Sequence, residues 1–184
     1  MKKIIAVAAL FAVLSTSAFA AGNNAYVTAD LSKASYTNAS PFPNPGKFGI
    51  GAGYQFTPNV AAEVGYHMFG DSTLTQGAST LTAKVSSLTV AAVGNYPIND
   101  QFSAIGKLGV AMNKLSVSGN FAGAAYTDSK NSLYFAVGGQ YNINQQFAVR
   151  VQYENFGDFT SKGGATSASQ AAASAFGIAG VINF

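Results

Sequence analysis

Cysteine is absent from the chain, histidine occurs once, and charged residues make up only 9% of it. Lack of cysteine rules out disulfides and thiolate metal sites and fits a chain exported without disulfides. One histidine among scattered carboxylates gives no metal-ligand spacing, so neither a metal nor any other cofactor is expected. Gly163-Gly164 lacks the lysine-bearing pattern of a phosphate-cradling loop. A soluble domain carries roughly a quarter charged residues, so something other than charge must keep this chain dispersed. Beyond residue 20 no apolar stretch reaches the ~18 residues that a spanning helix needs. If the chain meets lipid, it must do so as a closed β-barrel, because the hydrocarbon core leaves unpaired backbone groups unsatisfied.

What the chain does contain begins with a basic start (Lys2, Lys3), an apolar run from Ile4 to Val13, and small residues around Ala18-Phe19-Ala20. That order predicts a secretory signal peptide over residues 1–20, cleaved after Ala20. Residues 21–184 then form one domain, 184 − 20 = 164 residues long. Losing two of the 10 basic residues leaves 8 against 7 acidic ones, a net +1. No nucleic-acid partner is expected from so even a balance.

Alternation is clearest over 47–56. Phe48, Ile50, Ala52, Tyr54 and Phe56 fall on one face, and Lys47, Gly49, Gly51, Gly53 and Gln55 on the other. Period two is the signature of a strand with one apolar side, and ten residues match a tilted membrane-spanning strand. Seven further strands are predicted at about 24–33, 60–69, 85–96, 101–112, 132–143, 146–156 and 174–184. The connections alternate between short turns (57–59, 97–100, 142–145) and longer stretches (34–46, 70–84, 113–131, 157–173), as in up-and-down barrels. Tyr54, Tyr96 and Tyr141 precede the short turns, and Val60, Phe102 and Phe147 follow them. This faint repeat predicts an aromatic girdle at one membrane interface. The expected fold is therefore all-β, an eight-stranded antiparallel up-and-down transmembrane β-barrel.

The leader, the eight alternating strands, the glycine-rich inner faces and the ending AFGIAGVINF together resemble the OmpA-like and OmpX-like small outer-membrane barrels, the family of opacity proteins and neisserial surface protein A. The resemblance covers the whole chain after the leader and is one of pattern more than of motif. It implies that barrel assembly machinery reads the last strand, with Phe176, Ile178, Ile182 and Phe184 as the assembly signal. The glycine usual five residues before the end is replaced by Ala179, with Gly180 beside it. The resemblance also implies a Gram-negative outer-membrane location, and the even number of strands, with the short turns periplasmic, leaves both termini on the periplasmic side. No further domain is expected after Phe184. Outer-membrane lipid and lipopolysaccharide are the expected surroundings of a monomer.

Inward-facing charges are the main candidate constellation: Glu63, Lys107, Arg150 and Glu154. Unpaired charges would be costly in a low-dielectric lumen, and similar barrels carry an inner polar network that blocks the lumen. Glycines 49, 51, 53, 109 and 138 thin the lining, leaving room for small hydrated cavities. His67, with Asp71 and Ser72 nearby in sequence, invites a catalytic reading, but nothing matches the motifs of barrel enzymes and a polar residue at the barrel rim is the plainer expectation. No catalytic residue is assigned. Loop aromatics (Tyr36, Phe42, Phe121, Tyr126, Phe159) either anchor a ligand or cover the barrel mouth.

The expected function is a non-enzymatic surface barrel that supports envelope integrity and binds a host or surface ligand through its loops. The alternatives are a narrow channel for small solutes or ions and, less favoured, a lipid-modifying enzyme. A soluble lipocalin-type barrel is disfavoured because its core would be left with glycine, serine and charge to pack. Outer-membrane fractionation followed by gel electrophoresis tests the fold: unheated protein should migrate apart from boiled protein in SDS. A single band in both lanes, or recovery without detergent, would refute the membrane barrel.

Overall fold

The computed structural model describes residues 24–37, 46–76, 79–119, 126–159 and 172–184. The proposed leader lies outside these residues. The strands are β1 (Ala25–Thr37), β2 (Gly46–Thr57), β3 (Val60–Phe69), β4 (Ser72–Gln76), β5 (Ser79–Pro97), β6 (Phe102–Gly119), β7 (Tyr126–Asn142), β8 (Phe147–Asp158) and β9 (Ala172–Asn183). Every pairing is antiparallel, and β1 pairs with both β2 and β9, while β3 pairs with β5. These contacts close the sheet into a barrel.

Nine strands still make eight staves. Met68 pairs with Ser86, and Ser72 with Ala83, so three residues (69–71) face two (84–85) at the break. β3 and β4 are thus one stave interrupted by an extra residue, the geometry of a β-bulge.

The structure corrects the expected long connections. Much of 70–84 and 113–131 is paired strand, with β6 continuing to Gly119 and β7 starting at Tyr126. The physical reason is that these stretches rise beyond the apolar band. Their outward residues are Ser, Thr, Lys and Asn, so the hydrophobic alternation disappears although the backbone ladder continues.

All the faces inferred from period two are as the parity requires. Leu108, Val137 and Ile178 are each more than half exposed, whereas Ala111, Ala136 and Ala175 are buried. Bulk outside and small residues inside reverse the arrangement of a soluble barrel. At one end, Phe102 and Tyr141 stand opposite each other with ring centroids 4.8 Å apart, and Tyr54 and Phe56 are 5.4 Å apart. These are girdle positions. The two turns below them are built alike. Asn99 Oδ1 accepts from the Gln101 and Phe102 amides, and Asn144 Oδ1 from those of Gln146 and Phe147, at 2.8 to 2.9 Å. At two of its three copies the faint sequence repeat is therefore a repeated turn geometry, an asparagine side chain standing in for a backbone acceptor, while at the first the Asn59 amide donates to Thr57 Oγ1 at 3.3 Å.

The glycines do not leave hydrated space. A Cβ on Gly53 would collide with the Tyr26 ring, and one on Gly49 with Asp30 and His67. On Gly109 and Gly138 it would run into the neighbouring strands at Val90 O and Val151 O. Neighbours fill the volume these glycines vacate. Gly157 has a different role: with φ +65° it sits at the bulge where the register of β8 against β9 slips. Its amide donates to Asn155 Oδ1 at 2.9 Å. Replacing Gly157 with Ala should cost on the order of 1–3 kcal/mol, read as a lower urea midpoint in detergent. Gly46→Ala, where nothing lies within 4 Å of an added Cβ, serves as the comparison and should leave the midpoint in place.

Candidate functional site in the barrel lumen

Period two sends alternate residues of each stave inward, and three staves deliver polar residues at two levels four residues apart. β1 supplies Tyr26 and Asp30, β3 supplies Glu63 and His67, and β8 supplies Arg150 and Glu154; all six are buried. Four residues amount to about 13 Å of strand, so the polar lumen has two layers.

The layer nearer the short turns centres on Glu63. Lys107 Nζ lies 2.5 Å from Oε1, and Arg150 Nη1 lies 2.9 Å from Oε2. Tyr26 donates its hydroxyl to Oε2 at 2.9 Å. Arg150 Nε donates to Gln140 Oε1 at 2.7 Å, and the guanidinium lies 5.1 Å from the Tyr26 ring centroid. Two cations against one carboxylate give this layer +1.

The other layer centres on Lys47. Its ammonium meets Asp30 Oδ2 at 3.0 Å, His67 Nδ1 at 3.2 Å and, closer still, Glu154 Oε2. Tyr134 donates to Glu154 Oε1 at 2.7 Å. Because an ammonium only donates, His67 Nδ1 must be the acceptor. The proton of the neutral ring is then on Nε2, which donates to Thr89 Oγ1 at 3.1 Å, and the Thr89 hydroxyl in turn donates a hydrogen bond to Gly65 O at 3.3 Å. One cation against two carboxylates gives −1. The layers therefore cancel: Lys47, Lys107 and Arg150 offset Asp30, Glu63 and Glu154.

An apolar lid covers the second layer. Phe156 lies over Lys47, 5.0 Å from the ammonium to the ring centroid, and packs edge-on against His67 and Phe69. Phe159 and Tyr36 complete it, at 5.6 and 6.1 Å from Phe69 and 6.5 Å from each other. Phe159 and Tyr36 thus cover the barrel mouth. Phe42 and Phe121, and the side chain of Tyr126, fall outside the described residues. At the opposite mouth a recess of about 10 Å³ between Tyr26, Gln140 and Arg150 has room for one water.

Of the four inward charges expected from sequence, the structure brings Glu63, Lys107 and Arg150 together and places Glu154 in the other layer. Asp30, Lys47, Tyr26 and Tyr134 were missing from that set. Parity alone marks Asp30 and Lys47 as inward; which charge meets which is decided by barrel closure. His67 is not at the rim. It is buried in the lumen, whereas Asp71 is exposed and pairs with Lys84 at 3.5 Å. The side chain of Ser72 lies outside the described residues. Nor are the carboxylates scattered: ligand atoms of Asp30, His67 and Glu154 lie within 4.8 Å of one another. Lys47 contacts all three, so a tethered ammonium provides the positive charge that this donor set calls for.

Comparison with known proteins fits this geometry. The family model described as outer membrane protein beta-barrel domain matches residues 6–179. The chain belongs to this family. Outer membrane protein A of Salmonella typhi is 30% identical over 177 residues, covering 88% of this chain and 51% of that protein; the Shigella flexneri protein gives the same values. The chain spans about half the length of these curated relatives. Among solved structures, neisserial surface protein A superimposes with a TM-score of 0.68 at 15% identity, covering 87% of this chain and 97% of that one. Ail, the attachment invasion locus protein of Yersinia pestis, crystallised with the heparin analogue sucrose octasulfate, gives 0.62 at 17%, covering 88% and 98%. These likenesses show the fold, a small eight-staved outer-membrane barrel, and the family places the protein in the Gram-negative outer membrane.

The layered charges order the effects of substitution in this outer-membrane barrel. Lys47→Met removes the only cation of its layer and should cost about 3–5 kcal/mol, the range for orphaning a buried charge. Lys107→Met leaves Arg150 on Glu63 and should cost clearly less. Urea unfolding in lipid vesicles measures both, and equal costs would show that the layers do not act separately.

Proposed function

We propose that the protein is a non-catalytic surface barrel that strengthens the outer membrane and carries attachment activity in its long loops, with those loops outside the cell and both termini in the periplasm. The observation that carries this reading is the filled lumen. Two neutralising charge layers and a phenylalanine lid occupy the space through which a solute would pass, and the apolar outer wall is committed to lipid. The surface left for recognition is the long-loop end, where function concentrates in barrels of this kind. Attachment is further supported by the likeness to Ail, whose own structure holds a heparin analogue.

A non-catalytic role is supported by His67. Both of its ring nitrogens are engaged, one by Lys47 and the other by Thr89, and Phe156 covers it. A general base needs a free nitrogen within reach of substrate. Against the narrow-channel alternative, the same packing predicts no conductance above the detergent control in planar bilayers; stable unitary steps would restore the channel. Replacing residues 38–45 and 160–171 with short turns should abolish adherence of expressing cells to host cells while the heat-dependent gel shift persists. Undiminished adherence would remove the loops from the function.

A further inference from the structure

We propose that the outward wall of β5 and β6 above Leu88 and Met112 is a docking surface for a phosphorylated glycolipid of the surrounding leaflet. It rests on the reading that the long-loop end faces outward. Above those two apolar residues, Ser86 pairs with Lys114 and Lys84 with Ser116. Lys84 and Lys114 are therefore diagonal neighbours on the same outward face, roughly 7–8 Å apart at the backbone. Two flexible ammonium groups at that spacing can hold one phosphate between them.

Both lysines are available. Lys84 has its partner Asp71 at 3.5 Å, with both side chains more than half exposed, and such a pair is worth little. Lys114 is exposed and has no ion pair among the described residues. The third exposed lysine, Lys33 on β1, follows Leu31 in the same outward phase and stands at the same end. Among the described residues, no lysine or arginine faces outward at the short-turn end, where the exposed charge is Asp100. Outward cations are thus confined to one leaflet.

Height distinguishes the ligand. Lys114 lies two residues beyond Met112 and Lys84 four beyond Leu88, about 7 and 13 Å of strand, or roughly 5 and 10 Å of height at a strand tilt of about 40°. An ordinary phospholipid headgroup layer is only about 5–8 Å thick. Ser116 adds a hydroxyl at the level of Lys84, and the Thr82–Ser118 pair carries hydroxyls higher still. Phosphate low on the wall with sugar above it matches that order of ammonium and then hydroxyl; a phospholipid would leave the upper wall uncovered.

The test uses the whole barrel in phosphatidylcholine nanodiscs doped with lipid A carrying core sugars, with bound glycolipid read by native mass spectrometry. At about fivefold per lysine near a charged surface, the K84Q/K114Q variant should bind roughly thirtyfold more weakly and wild-type binding should fall with salt. Lys130→Gln, which disrupts the pair with Asp158 instead, should bind as wild type. Should the double variant lose its heat-dependent gel shift, the single variants replace it, each about fivefold weaker. Equal binding by the lysine variants overturns the proposal. So does equal binding of a dephosphorylated glycolipid, or equal competition by phosphatidylglycerol at matched charge. Discs carry the ligand in both leaflets, so an inverted orientation in the cell would leave these results unchanged and fail only in surface labelling.

Discussion

Neutralising charge inside a closed sheet is the constraint on which the rest of this structure depends. Eight staves leave an interior only wide enough for side chains, and this one holds three cations and three carboxylates out of contact with bulk water. Each buried ion would cost several kcal/mol if left alone. Neither layer is balanced by itself, since Glu63 faces two cations while Lys47 faces two carboxylates. Only stacking the +1 layer on the −1 layer makes the lumen neutral. Tyr26, Tyr134, Gln140 and Thr89 then add hydrogen bonds to Glu63, Glu154, Arg150 and His67.

That demand sets the choice of residues around it. Tyr26 needs the space above Gly53, and Asp30 and His67 need the space above Gly49. Glycines that look like thin lining in the sequence are sockets for the network's side chains. Phe156, in phase with Glu154, closes the network toward the loops, and the bulge at Gly157 shifts the phase so that Phe159 also turns inward. There, Asn113 Nδ2 bonds Phe156 O and Asp158 O at 2.8 and 3.0 Å, satisfying carbonyls at the bulged end of the strand. Lipid outside and charge inside make this chain an inversion of a soluble barrel, and the inversion explains how so few charged residues suffice.

The faces of the strands were legible because period two is local: a residue's side is set by its neighbours in sequence, and the lipid band writes that alternation in Leu, Val, Ile and aromatic residues. Where β5 and β6 leave the band the writing stops, so Ser79–Lys84 and Asn113–Gly119 read as loop although they are paired strand. The split of the third stave into β3 and β4 was hidden for the same reason. Among the lumen charges, Glu63, Lys107 and Arg150 were legible as a set, but Glu154 was grouped with them although its cation is Lys47, 107 residues away.

The sequence by itself determined that this chain is an antiparallel barrel, how many staves it has, and which residues face lipid or lumen. These follow from composition and from a two-residue period that needs no knowledge of distant contacts. Tertiary structure alone decided the partners. Closure of β1 against β9, and the registers that set each stave's height, bring Asp30, Lys47, His67 and Glu154 to one level, and bring Glu63, Lys107 and Arg150 to another. Pairing energy depends on separation and on exclusion of water, and both are properties of the closed barrel.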